Sequence, residues 1–108
     1  MLQLTLIRHA KSSWGDTALS DFDRPLNERG LRDIALMGNI LNEKLAIFDQ
    51  LISSPAKRAI TTSKLFAEKL GHPEKDIKLE QQLYNASLHT LLKVIHQLDS
   101  TVKHCVLV

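Results

Sequence analysis

A three-layer α/β sandwich with a mostly parallel central sheet is the fold that these 108 residues predict. Three observations lead there. Short apolar runs of strand character alternate with longer segments of helical periodicity, in the order strand, helix, strand, helix, strand, helix, strand, which builds βαβ units. Capping residues, glycine and proline stand where those segments begin and end. Finally, the length suits one hydrophobic core, so residues 1–108 are read as a single domain without repeat or linker.

The first strand is Leu2-Gln3-Leu4-Thr5-Leu6-Ile7, in which leucines alternate with polar residues and Ile7 makes the run apolar enough for burial. It delivers Arg8 and His9 to its carboxyl end. A long polar loop follows, through Lys11, Trp14, Asp21, Asp23, Arg24 and Pro25. Asn27 then caps a helix over roughly 28–45, with Glu28 in the first turn where the helix dipole favours an acid. Leu31, Ile34, Ala35, Gly38, Leu41 and Leu45 recur at helical spacing, and that face is expected to pack on the sheet.

Ile47 to Ile52 is the second strand, closed by Ser53-Ser54-Pro55. Ser54 is placed to cap the next helix with Pro55 at its first position, where a missing N–H costs nothing. That helix runs to about Leu70, burying Ala59, Ser63, Phe66, Ala67 and Leu70. Gly71 and Pro73 stop it. Ile77 to Leu79 is a short third strand, and Glu80 to Asn85 reads as loop. Ser87 caps a last helix with a stripe of Leu88, Leu91, Leu92, Ile95 and Leu98. Lys103 to Val108 forms a final apolar strand with no turn residue or polar tail behind it. The reading is of a domain lacking its C-terminal strand-loop-helix portion; the alternative is an intact chain that uses Val106 to Val108 as an edge strand.

Composition excludes several classes of function. Apolar residues make up 44% and charged residues 24%, with a net charge of +2 spread over interleaved acids and bases. This is a globular balance, without the clustered basic face that nucleic acid requires. No apolar run reaches the roughly 20 residues needed to cross a bilayer, and no secretory leader is visible, so no membrane association and a cytoplasmic location are expected. A single cysteine, Cys105, allows neither an internal disulfide nor a thiolate metal cluster.

The chemistry gathers at one sheet edge. In an open parallel sheet the carboxyl ends of the strands border the ligand crevice, so Arg8 and His9 meet Arg58, which falls in the first turn of the second helix. Helix starts favour anions, and a planar guanidinium binds two phosphate oxygens at once, which points to phosphate. An imidazole whose other nitrogen donates to a backbone carbonyl keeps a lone pair free to attack phosphorus. Charge on the equatorial oxygens would be neutralised by Arg8 and Arg58.

Leu6-Ile7-Arg8-His9-Ala10-Lys11-Ser12-Ser13-Trp14, then Asp21-Phe22-Asp23-Arg24-Pro25-Leu26-Asn27-Glu28-Arg29-Gly30, then Ser53-Ser54-Pro55-Ala56-Lys57-Arg58-Ala59 together resemble the histidine phosphatase superfamily, phosphoglycerate mutase-like in fold. Among its members the short SixA-type phosphohistidine phosphatases are the nearest in pattern. The resemblance implies that His9 is transiently phosphorylated, that Arg8 and Arg58 clamp the phosphoryl group, and that no metal or organic cofactor takes part. Lys11 and Arg24 are further candidates for substrate contact. It implies a substrate that is a phosphorylated protein, such as a histidine phosphotransfer protein, or a small phosphate ester; a non-catalytic phosphoanion-binding module is the alternative of a different class.

Two departures matter. Ala10 stands where much of the superfamily has glycine. The family also places a second histidine just after a strand like Val106-Leu107-Val108, whereas His104 precedes that strand and belongs to its opposite end. Weakened phosphate binding and little turnover are therefore expected of residues 1–108 alone. Candidates for the proton donor are Glu80, Asp21 and Asp23. A haloacid dehalogenase-like reading of Asp21-Phe22-Asp23 fails because no buried strand precedes it, and Cys105 lacks the phosphate-cradling loop of a cysteine phosphatase. Trp14 is expected to anchor the loop, His72 to sit in a turn, and His89, His96 and Lys57 to face water.

Overall fold

The computed structural model describes residues 2–9, 20–44 and 48–108. Its elements follow the expected alternation: β1 (Gln3–Leu6), α1 (Glu28–Lys44), β2 (Gln50–Ser53), α2 (Lys57–Leu70), β3 (Ile77–Leu79), α3 (Leu88–His96) and β4 (His104–Leu107), with single 3-10 turns at Glu74–Asp76 and Gln81–Leu83. The four strands form one sheet in the order β1-β4-β2-β3, and every pairing is parallel. The last strand in sequence is thus inserted between the first two.

Alternation along the central strands creates the three layers. Leu51 and Val106 point to one face, where they meet Ala67 of α2. Ile52, Cys105 and Leu107 point to the other, under Leu91, Ile95 and Leu98. Cys105 is fully buried, and burial pushes its thiol up to about 11, so it is an inert core residue.

Several local signals act as read. Asn27 Oδ1 accepts from the Gly30 N–H at 2.8 Å, capping α1. Ser87 Oγ accepts from the Thr90 N–H at 3.2 Å, capping α3. Gly71 ends α2 with φ of 72°, and its N–H returns to the Ala67 carbonyl.

Other expectations need correction. α2 begins two residues beyond Pro55, at Lys57, because Ser54 Oγ takes the Ala56 N–H at 3.3 Å in a local turn and caps no helix. β2 is Gln50–Ser53, shifted towards the loop relative to Ile47–Ile52. α1 packs chiefly on α2, and Ile34 joins Leu26 and Phe66 there, so Leu31 and Ala35 stay exposed. Gly38 lies at that crossing: a Cβ on it would stand 2.7 Å from Lys69 Cγ. On α3 the line facing the sheet runs through Leu91, Val94, Ile95 and Leu98, which leaves Leu88 and Leu92 on its flank in solvent. Leu45 lies outside the described residues.

The largest departure is β1. Leu2, Leu4 and Leu6 are exposed, Leu6 by 60%. Among the described residues β1 is an edge strand bonded to β4 alone, so the alternation that forms a strand does not by itself bury one.

Candidate active site

Parallel pairing brings the carboxyl ends of all four strands to one edge of the sheet. The Ile7 N–H donates to the Leu107 carbonyl at 2.8 Å, so β1 keeps its register as far as the residue before Arg8. At the end of β4 the Val108 N–H donates to Ile52 at 2.9 Å, and the Ser54 N–H returns to Val108 at 3.2 Å. The Glu80 N–H, just past β3, donates to Ser53 at 2.9 Å. Residues 8 and 9, 54 to 58 and 80 to 84 therefore emerge side by side. With β4 between them, β1 and β2 end two strand spacings apart, about 10 Å. Arg8 is exposed there and His9 half-buried.

Arg58, the second residue of α2, is buried. Its Nη1 donates to the Asp21 carbonyl at 2.6 Å and its Nη2 to Asp21 Oδ2 at 3.0 Å. Asp21 Oδ1 receives Arg24 Nη2 at 2.9 Å, and Asp21 Oδ2 also receives the Tyr84 hydroxyl at 2.6 Å. The Phe22 carbonyl takes the Lys57 N–H, one of the donors left over at the start of α2, at 2.9 Å. Phe22 and Tyr84 rings meet edge to face at 5.1 Å. One short turn, 21–23, thus joins the start of α2 to the loop after β3.

The electrostatics follow from these bonds. Tyr84 first, then Arg24 and Arg58, hold the Asp21 carboxyl well below the usual carboxylate range. The same pairing pushes the Tyr84 hydroxyl up, Asp21 being the first cause. Asp21 is therefore an ion bound to two cations and is unsuited to donating a proton, contrary to its candidacy in the sequence. Asp23 accepts from Ser20 Oγ at 3.0 Å, and Glu80 accepts from its neighbour Gln82, from the N–H at 3.5 Å and from Nε2 at 3.4 Å.

Of the residues singled out in the sequence, Arg24 and Arg58 are brought together on one carboxylate, and Arg8 and His9 stand at the same sheet edge. Lys11, with Ala10 and Trp14, lies outside the described residues. His104 sits at the amino end of β4, buried, with Nε2 2.8 Å from Thr5 Oγ1 and its N–H on Asp49 Oδ2 at 2.9 Å, a structural role away from this edge. His72 packs against Phe48 at 5.1 Å, and His89, His96 and Lys57 are exposed. Tyr84 was missed because it lies in a stretch without periodicity; its signal was to be the one tyrosine of the chain, just past a parallel strand's carboxyl end. Among the described residues no three His, Cys, Asp or Glu side chains are grouped to hold a metal ion, and no helix is long and apolar enough to cross a membrane.

Comparison with known proteins matches residues 4–91 to the family described as the histidine phosphatase superfamily (branch 1). An uncharacterised protein of Mycobacterium tuberculosis is 34% identical over 98 residues, which are 89% of this chain and 57% of that protein. A 2,3-bisphosphoglycerate-dependent phosphoglycerate mutase of Elusimicrobium minutum is 32% identical over 92 residues, 78% of this chain and 36% of the mutase. In structure, a SixA protein from Agrobacterium tumefaciens superposes with a TM-score of 0.85 at 29% identity, over 96% of this chain and 66% of its own. The protein histidine phosphatase SixA complexed with tungstate shares the fold, with a TM-score of 0.82 at 20% identity over 98% of this chain and 67% of its own. The chain thus spans little more than half the length of the first curated relatives it matches.

Proposed function

Since the chain belongs to the histidine phosphatase superfamily, we propose that it is built for hydrolysis of a phosphorylated substrate through a covalent intermediate on His9. The observation that carries this reading is the meeting of Arg24 and Arg58 on one oxyanion, the Asp21 carboxylate, at the sheet edge where β1 ends with Arg8 and His9. In the proposed reaction a ring nitrogen of His9 attacks phosphorus and the bond to the leaving group breaks, its electron pair leaving with that group. Arg8 and Arg58 neutralise the equatorial oxygens, with Arg24 and Lys11 as further cations for the substrate. Water then attacks the phosphorylated His9, releasing inorganic phosphate and restoring the imidazole.

Protein phosphohistidine is the proposed substrate, as carried by a cytoplasmic histidine phosphotransfer protein. An imidazole leaves phosphorus more easily than an alkoxide and asks less of a general acid. That suits a site in which Asp21 is held ionised. A small phosphate ester is the second reading, favoured by the relationship to a phosphoglycerate mutase. No cofactor is required by either chemistry.

The test is turnover of a phosphohistidine peptide and of an aryl phosphate by this chain and by His9→Ala, with acid-labile phosphate on the protein trapped by rapid quench. Turnover by residues 1–108 is expected to be slow, so labelling is the main readout. The wild type is expected to become labelled, and faster from the phosphohistidine peptide. His9→Ala is expected to lose the label and, in a chain extended past Val108, at least about 100-fold in rate. An equal rate in His9→Ala ends the proposal. A preference for the ester selects the second reading.

A further inference from the structure

Tyr84 lies 63 positions from Asp21 and 26 from Arg58 along the chain, yet it is part of what holds both. Its hydroxyl gives Asp21 Oδ2 a 2.6 Å bond, short as expected for an ionised acceptor, and its ring braces Phe22 beside it. Asp21 in turn supplies two acceptors for the Arg58 guanidinium, one from its backbone and one from its side chain. The terminal nitrogens of that guanidinium are thus held by Asp21, whose own carboxylate is held by Tyr84 on one oxygen and Arg24 on the other, and the guanidinium carbon lies 6.0 Å from the centre of the Tyr84 ring.

One donor of Arg58 is left over. Its Nε is buried and has no hydrogen-bond acceptor among the described residues. A buried N–H without an acceptor is costly, and an arriving oxyanion would relieve that cost. An arginine locked through both terminal nitrogens, with its third nitrogen unsatisfied, is prepared for a ligand on its Nε side.

We propose that Tyr84 is a positioning residue of the phosphoryl site: it holds Asp21, and Asp21 holds Arg58 with Nε–H reserved for a phosphoryl oxygen. This rests on the phosphatase reading, in which Arg58 binds the phosphoryl group. Tyr84 itself touches no reacting atom. Removing its hydroxyl leaves Arg58 charged and in place but lets Asp21, and with it the guanidinium, turn.

The experiment compares the full chain with Tyr84→Phe and Arg58→Ala by isothermal titration with tungstate near neutral pH. The ligand-free side-chain N–H signals of Arg58 are followed by nitrogen-15 NMR. Tyr84→Phe is expected to stay folded with a somewhat lower melting point, to bind tungstate about 3- to 10-fold more weakly, and to show faster rotation of the Arg58 guanidinium. Arg58→Ala is expected to lose binding. Tungstate binding by Tyr84→Phe equal to or tighter than wild type, beside lost binding in Arg58→Ala, overturns the role of Tyr84 alone. Unchanged Arg58 signals in Tyr84→Phe do the same without any anion present. Should the wild type fail to bind tungstate, or Arg58→Ala bind it equally well, the phosphoryl site itself falls and this inference with it.

Discussion

β4 has β1 on one side and β2 on the other, and these two neighbours look alike on paper. Each has four residues, Gln-Leu-Thr-Leu against Gln-Leu-Ile-Ser, and each runs parallel to β4. β2 is nevertheless buried from Leu51 to Ser53, whereas β1 leaves Leu4 and Leu6 in solvent. The difference lies in their surroundings: β2 is flanked by strands on both sides and covered by α2, and β1 is an edge. Strand residues are stabilised by what packs on them, and two similar strings can therefore contribute very unequally.

That asymmetry extends to the site. The arginine supplied after β2 is buried and tied down by Asp21, which Tyr84 and Arg24 hold in turn. Arg8, supplied after β1, is exposed. Clamp and proposed phosphoryl acceptor thus come from the rigid and the open side of the same strand.

The comparison is broken most directly at its buried member. Leu51→Ala is expected to cost about 2–5 kcal/mol, a large share of the stability of a domain this size, read by urea denaturation. A cost under 1 kcal/mol would mean that β2 is no better packed than β1.

A smaller effect is expected at Asp21, and its pH dependence has a definite sign. A carboxyl depressed in the folded state adds stability that is fully present above its unfolded value, about 3.9, and lost as pH falls through the lower folded value. Asp21→Asn is therefore expected to melt below the wild type by a gap that is constant from about pH 5 to 7 and narrows only under about pH 4. A gap that already closes near pH 6 would show that the carboxylate is not held by its cations and Tyr84.

The smallest effect belongs to β1. Leu6→Ser is expected to change stability by no more than about 0.5 kcal/mol, since the side chain is 60% exposed. A loss matching that of Leu51→Ala would place a covering partner on this face in solution and erase the contrast between the strands.

Much of this was legible from the residues alone because it depends on neighbours in sequence. Asn27 and Ser87 cap their helices through side chains that reach backbone three residues on, and Gly71 supplies a left-handed turn that few other residues tolerate. Phe66 and Ala67 follow helical spacing into the core. Arg8, His9 and Arg58 stood out because they lie beside such signals, at the end of a strand and the start of a helix.

Illegible were the matters that depend on partners distant in the chain. Nothing in the alternation of β1 states that, among the described residues, β4, about a hundred positions later, will be the one strand it pairs with, and so the leucines read as buried. Nothing local couples Asp21 to Tyr84, so a carboxylate that looked like a proton donor is instead an ion fixed between two arginines and a phenol. Element type and the caps at Asn27 and Ser87 were set by the sequence itself, since backbone sterics and short-range hydrogen bonds act within a few residues. Which faces are covered, and what each charge does, was decided by tertiary structure, because burial and Coulomb energies depend on distance in space.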